Sequence, residues 1–513
     1  MNYRFVVKQL GLLFVVLSAI LLGIAAWSAI QLAYGETTEK HPLRAFLIAG
    51  GVGLTVGGLM WLVTRKTSTR FGRKEALLLV AASWFGGAML AAIPFLVYAY
   101  IGEVPGTDHP FREPVNCFFE SMSGLTTTGA TVLTKIDRMP RSILLWRALT
   151  HWLGGLGIVV LFVAVLPSMG VEGKRLFRVE APGPEPEGVH PHIRETARTL
   201  WMIYLGITVL QILALRIAGM DIFNSVCHTF ATLATGGFST HNASLGGFHG
   251  NIAIDIIVLF FMVCAGVNFG LYYHLIRGRF KAVFQDSELR LYLTIMLVVT
   301  GIVTFAIAND PIKLTTGETI EPSWFEATRQ SALTTVSVQT TTGFCTADFN
   351  LWPFIAKALL LMVMFIGGCA GSTGGGIKVI RILIAFKVMV AELERVFRPN
   401  VVRPLKVGKA TIAPELRLAT LAYVFGLILL FGAGTGLLKL CEPAESIDMT
   451  TAASASVATL CNIGPGLAKV GAVENYAWFS TPSKCVMIVL MALGRLEVFA
   501  ILVLFSPRFW RSA

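Results

Sequence analysis

The chain has 513 residues and a formal net charge of +12, yet only 14% of its residues are charged and 55% are hydrophobic. Mean hydropathy is +0.69. Soluble chains usually carry about a quarter charged residues, so the composition argues against a soluble protein and points to the lipid bilayer as surroundings.

A helix needs about twenty apolar residues to cross the hydrocarbon core. Such runs predict spans at 9–34, 45–63, 76–101, 143–166, 199–219, 251–276, 289–308, 352–385, 415–438 and 485–505. The first is long, lacks a small-residue cleavage site and is followed by a second span, so it reads as a span and not a signal peptide. With the N-terminus cytoplasmic, alternate loops hold most of the 42 Lys and Arg, including Arg65, Lys66, Lys174, Arg175, Arg277, Arg279 and the stretch from Lys378 to Lys409. That is the positive-inside pattern. It predicts both termini on the cytoplasmic side and accounts for the basic charge without nucleic acid. The eight cysteines form no CxxC pair, which suggests packing residues and neither a zinc site nor a redox motif.

Between spans, four segments resemble one another: Leu125-Thr-Thr-Thr-Gly129, Leu233-Ala-Thr-Gly-Gly237, Gln339-Thr-Thr-Thr-Gly343 and Leu460-Cys-Asn-Ile-Gly464. Their last glycines lie 108, 106 and 121 residues apart. An acidic residue stands 16 positions ahead in three cases (Glu113, Asp221, Asp448) and 17 ahead in the other (Glu326). The dozen residues between acid and glycine, at about 1.5 Å each, are too few to span the bilayer as a helix. A short helix followed by a polar loop fits, and irregular backbone survives at membrane depth only where protein buries it or water solvates it. Four such loops around an axis can offer rings of carbonyl oxygens to a dehydrating cation, and the negative ends of four short helices favour one.

On these residues the chain resembles the Trk/Ktr/HKT superfamily of potassium transporters. The resemblance is carried by Thr126-Thr-Thr-Gly-Ala130, Thr235-Gly-Gly-Phe-Ser-Thr240, Gln339-Thr-Thr-Thr-Gly-Phe344, Asn462-Ile-Gly-Pro-Gly466, the run from Gly367 to Lys378, and Gly494-Arg-Leu-Glu497. Two extra N-terminal spans favour the Trk branch over the Ktr branch. The resemblance implies an all-α polytopic membrane protein with four repeats of helix, re-entrant pore loop and helix around one pore. The expected division is 1–74 for two N-terminal helices, then 75–180, 181–280, 281–400 and 401–513 for the repeats.

It also implies a K⁺ filter from Thr127, Thr128 and Gly129; Thr235, Gly236 and Gly237; Thr341, Thr342 and Gly343; and Asn462, Ile463 and Gly464. Gly237 is preferred to Gly236 in the second loop because it precedes Phe238, as Gly343 precedes Phe344. Plant relatives that prefer sodium carry serine at the first position, where this chain has Gly129. A homodimer and a cytoplasmic nucleotide-binding regulatory subunit of the TrkA type are further implied, with K⁺ as transported ion and no organic cofactor.

The span at 352–385 holds six glycines between Gly367 and Gly376. Glycine inside a helix costs roughly 1 kcal/mol against alanine, so a break is expected. The resemblance makes it an intramembrane gating loop at Gly374, Gly375, Gly376 and Lys378; close helix packing is the alternative. Lys378 either ends this loop or snorkels to the inner surface. Arg495 lies within the last apolar span, where a charge must face protein or water. The resemblance puts it beside the pore against the gating loop, and an ion pair with Glu497 is the alternative. His151, His228 and His241 lack metal-ligand spacing. Glu120 either shapes the outer vestibule or bonds neighbouring backbone.

A coupled H⁺ or Na⁺ symporter, or a carrier of another monovalent cation, is the competing transport reading, since carriers use broken helices and midplane charges. A membrane enzyme is disfavoured: there is no HExxH, GxSxG or GxxxxGK[ST].

Overall fold

The computed structural model describes residues 1–67, 72–102, 109–155, 157, 193–399, 404–408 and 410–511. The end of the expected span 143–166, the basic residues Lys174, Arg175 and Arg178, and the Pro/Gly/Glu stretch 181–188 lie outside them. Among the described residues the regular structure is helical apart from two short antiparallel ladders, Ile312–Lys313 with Thr319–Ile320 and Lys406–Val407 with Ala410–Thr411, and isolated bridges pairing Leu314 with Ala347 and Ile366 with Ile377.

Among the described residues, six helices are long and apolar enough to cross a membrane: Tyr3–Ala33, Thr37–Thr64, Lys74–Ile101, Arg198–Ile217, Ser287–Ile307 and Pro414–Cys441. The first two cross at Gly11 and Gly57, where a Cβ on either would come within 2.7 Å of the other's carbonyl oxygen. Small residues at such a crossing let membrane helices approach closely.

The sequence places single spans at 251–276 and 485–505, and the structure breaks both. Ile252–Ala265 and Phe269–Ile276 meet at 99°, and Thr481–Arg495 and the 499–505 segment at 114°. The Asn268 side chain caps the new helix by accepting from the Gly270 N–H. In the last span Glu497 and Val498 both take positive φ, 54° and 59°, unusual for non-glycine and strained for β-branched valine. The expected span 352–385 is likewise two helices, Phe354–Phe365 and Val379–Phe397, joined by an irregular segment.

Among the described residues, a short helix runs into each of the four glycine loops: Pro114–Leu125, Ile222–Leu233, Trp324–Gln339 and Met449–Leu460. Three have 12 residues and the third has 16. At about 1.5 Å per residue, the 12-residue helices cover roughly 18 Å, short of a ~30 Å hydrocarbon core. Glu113, Asp221 and Asp448 occupy their N-caps. Asp221 accepts from the Asn224 N–H and Asp448 from the Thr451 N–H. Burial works against the charge on Asp448, but the bonds from Thr451 outweigh it and hold its carboxyl below the ordinary range. Glu326 instead lies in the first turn of the longer helix and pairs with Arg329 at 3.1 Å, which explains its extra residue of spacing. Arg329 also bonds the buried Asp255 through Nε at 2.8 Å, tying Trp324–Gln339 to Ile252–Ala265.

Candidate functional site: a ring of four glycine loops

Each short helix ends four residues before its glycine, and all four ends are built alike. The residue two before the glycine takes a left-handed backbone: Thr127 at φ 54°, Thr235 at 54°, Thr341 at 58° and Asn462 at 56°. The glycines follow at 81°, 76°, 82° and 95° for Gly129, Gly237, Gly343 and Gly464. The next N–H after each left-handed residue reaches back to the helix: Thr128 to Ser123 O at 2.9 Å, Gly236 to Ala231 O at 2.8 Å, Thr342 to Ser337 O at 2.8 Å and Ile463 to Ala458 O at 2.9 Å. This is the bonding of a Schellman cap, whose left-handed position usually goes to glycine. Threonine there is strained, and such strain gathers at functional sites. The same pattern fixes the second loop's register: Gly237, and not Gly236, is the counterpart of Gly129.

The four loops meet in cyclic order. A Cβ on Gly129 would collide with Gly236 O, on Gly237 with Thr342 O, on Gly343 with Ile463 O, and on Gly464 with Thr128 O. Each glycine thus packs on the carbonyl just ahead of the next loop's glycine, and the fourth closes on the first. Thr126, Thr127, Thr128, Thr235, Thr340, Thr341, Thr342, Asn462 and Ile463 are fully buried. Asn462 Nδ2 donates to Thr128 Oγ1 at 2.9 Å and to Met491 O at 3.0 Å, joining the fourth loop to the first. Among the described residues, the Thr127 hydroxyl and Asn462 Oδ1 are buried without a protein partner. All four glycines line a cavity of about 80 Å³ that also touches Arg147, His241 and Glu474.

The glycine-rich segment 366–378 lies against this ring. Its two limbs pair, with Gly367 N donating to Ile377 O at 3.0 Å and Ile377 N to Phe365 O at 2.9 Å. Gly375 N donates to Thr341 Oγ1 at 2.7 Å. A Cβ on Gly374 would sit 3.1 Å from Thr340 O, and one on Gly375 would collide with Cys461 O. Gly376 needs its own positive φ of 65°. The segment docks on the break in the earlier helix: Cys369 N reaches Gly266 O at 2.8 Å and Phe269 N reaches Gly371 O at 3.1 Å. Glu288 Oε1 accepts from Ala370 N at 2.7 Å and Ile380 N at 2.9 Å, fixing both limbs.

Lys378 is 4% exposed and donates to Gly374 O at 2.5 Å, so it folds back into the segment and does not snorkel. Arg495 donates to Thr373 O at 2.7 Å, and to Gly154 O and Gly155 O at 2.5 and 3.0 Å. Glu497 pairs with Arg381 at 2.5 Å.

Sequence reasoning passed over Arg147. Its Nε meets Glu120 Oε1 at 2.8 Å in a pair whose side chains are 1% and 0% exposed. It lies in an otherwise apolar run, the same signal that marked Arg495. His151 Nε2 accepts from Phe238 N–H at 3.2 Å, so its protonated Nδ1 donates to Gly124 O at 2.8 Å. His228 Nδ1 donates to Asn224 O at 2.9 Å, and His241 Nδ1 meets Asp137 at 2.9 Å. Among the described residues no group of three His, Cys, Asp or Glu could hold a metal ion. The ring's oxygens, backbone carbonyls and threonine hydroxyls, suit an alkali cation that sheds water as it passes.

Comparison with known proteins gives one consistent result. Residues 43–512 match the family model described as TrkH, cation transport protein. The chain is 38% identical over 516 residues to the Trk system potassium uptake protein TrkH of Escherichia coli strain K12, covering 100% of both chains. It is 32% identical over 484 residues to the Trk system potassium uptake protein TrkG of the same strain, covering 92% of this chain and 93% of that one. The crystal structure of the potassium transporter TrkH from Vibrio parahaemolyticus superposes with a TM-score of 0.83 at 34% identity, covering 100% of both chains.

Proposed function

Because the chain belongs to the TrkH family of cation transport proteins, we propose that it takes up potassium across the bacterial cytoplasmic membrane through one pore, whose filter is the ring of Gly129, Gly237, Gly343 and Gly464. The observation that carries this reading is the closure of the ring, each glycine seated on the carbonyl of the next loop. Four repeats, 75–180, 181–280, 281–400 and 401–513, each supply one loop behind a pair of N-terminal helices at 1–74. The C-terminal ends of the four short helices, partly negative, and the free oxygens of Thr127 and Asn462 favour a cation there.

The segment 366–378 is the gate. It touches the ring through Thr341 and is held by Arg495 through Thr373. The guanidinium adds a positive charge on the cytoplasmic side of the filter, a barrier to a cation while the segment is in place. Both termini are cytoplasmic. The protein works as a homodimer with one pore per protomer, regulated by a cytoplasmic subunit of the TrkA type that binds the nucleotide.

A second reading, a carrier coupled to H⁺ or Na⁺, draws on the two broken helices, a device of carriers. The test is flux of potassium, rubidium, sodium and lithium into liposomes holding the purified protein. Fast potassium and rubidium flux with little lithium is expected. Flux only against a proton or sodium gradient would replace the channel-like reading with the carrier.

A further inference from the structure

The four loops share one backbone, but the side chains behind them are not alike. Nine residues before the glycines stand Glu120, His228, Thr334 and Ala455; two residues after stand Thr131, Ser239, Cys345 and Gly466. In the first loop Glu120 accepts from the Thr131 hydroxyl at 2.9 Å and from Val132 N at 3.0 Å. In the second, His228 Nε2 accepts from the Ser239 hydroxyl at 3.1 Å. The third and fourth lack this bond: the Thr334 hydroxyl is buried without a partner, and Ala455 and Gly466 have none to offer. Neutral bonds hold those strands instead: Thr346 Oγ1 donates to Gln330 Oε1 at 2.5 Å, Ser454 Oγ to Leu467 O at 2.9 Å and Tyr476 Oη to Gly464 O at 2.7 Å.

Arg147 joins the two braced loops. Beyond Glu120 it donates to Ser239 O and to Thr131 Oγ1, both at 3.2 Å, and its guanidinium lies 4.1 Å from the centre of the Phe238 ring. Its polar contacts thus go to the loops at Thr131 and Ser239 or to the carboxylate behind them. A buried ion pair is weak evidence for stability, because desolvation offsets most of its attraction. What this pair supplies is position: two charges and two hydroxyls hold the strands just past Gly129 and Gly237. It also leaves the cavity beside a cation path with no net charge from Arg147.

We propose that Glu120, Arg147 and His228 are positioning residues for ion selectivity, a brace built on a buried ion pair that holds the first and second filter strands at potassium spacing, where the third and fourth have neutral bonds alone. A strand that shifts inward closes its carbonyls around the smaller sodium ion; the charged brace resists that shift in the first two strands. The inference rests on the filter reading above. A wild-type protein that failed to prefer potassium would overturn that reading, and the brace with it, before any variant is made.

The test is the potassium-to-sodium flux ratio in liposomes, taken from one preparation so that lost protein cancels. Glu120→Gln with Arg147→Gln removes both charges together. The ratio should fall about tenfold, the scale of one hydrogen bond to a charged group. The matched control, Asp255→Asn with Arg329→Gln, removes a buried pair that touches no filter strand and should leave the ratio unchanged. A wild-type ratio in the brace variant, or an equal fall in the control, overturns the proposal. If the brace variant does not insert, Thr131→Val with Ser239→Ala keeps every charge and removes only the two hydroxyls. There a fall in the ratio supports the brace, and an unchanged ratio overturns it.

Discussion

Arg495 donates to the backbone carbonyl of Thr373 at 2.7 Å, so the last span holds the glycine segment directly. Thr373 lies in that segment just ahead of Gly374, and its own hydroxyl donates to Leu233 O, the last residue of the second short helix, at 2.9 Å. One residue therefore touches both the guanidinium and the base of a glycine loop. Arg495→Ala should raise potassium flux by about tenfold to a hundredfold, the shift carried by a charged hydrogen bond of roughly 1.5–3 kcal/mol. Arg495→Lys should fall between, since a single ammonium cannot reproduce the fork to Thr373, Gly154 and Gly155. Rubidium uptake into liposomes measures both, and normal insertion with unaltered flux would remove Arg495 from the barrier.

Glu288 anchors the same segment at both ends, through the N–H groups of Ala370 and Ile380. Glu288→Ala leaves the N–H groups of Ala370 and Ile380 buried without their acceptor, at about 1–3 kcal/mol each. The melting temperature of the solubilised protein should drop and leak through the pore should rise. Glu288→Gln keeps the accepting oxygen and should stay near wild type in both. Thermal melts run beside flux assays separate the two variants, and equal behaviour would contradict the anchoring role.

Gly129→Ser places a Cβ against Gly236 O and a side chain at φ 81°. The ring must widen locally, and discrimination of potassium over sodium should weaken by about tenfold, the equivalent of some 1.4 kcal/mol. Competition of sodium against rubidium uptake reads this. Unchanged selectivity would count against Gly129 as a filter residue.

Removing one glycine from Gly374–Gly376 takes away contacts with Thr340, Thr341 and Cys461. Open probability in single-channel records should rise. A closed or unchanged pore would contradict a gating role for the segment.

The long apolar helices were legible because hydropathy reports them directly, and so was the interruption after Phe365, because glycine in such density cannot propagate a helix. The breaks at 266–268 and 496–498 were not, since both sit inside runs apolar enough to read as one span. Asn268 was the available sign, a capping residue that starts a new helix. The threonine and glycine loops stood out by spacing, but the left-handed turn at Thr127, Thr235, Thr341 and Asn462 did not: threonine is disfavoured there, and tertiary contacts impose it. Arg147 was passed over because its partner Glu120 lies 27 residues away in sequence, and only folding brings the two to 2.8 Å.

Asn462 stands where the other three loops have threonine, and its amide reaches sideways to Thr128. In an assembly of identical subunits, that substitution would appear four times, and four amides would compete for room at the centre. A single continuous chain escapes that rule. One quadrant can take on a new chemical task while the other three keep the old one. Mutation can therefore explore the lining one wall at a time, with three-quarters of the ring intact at every step.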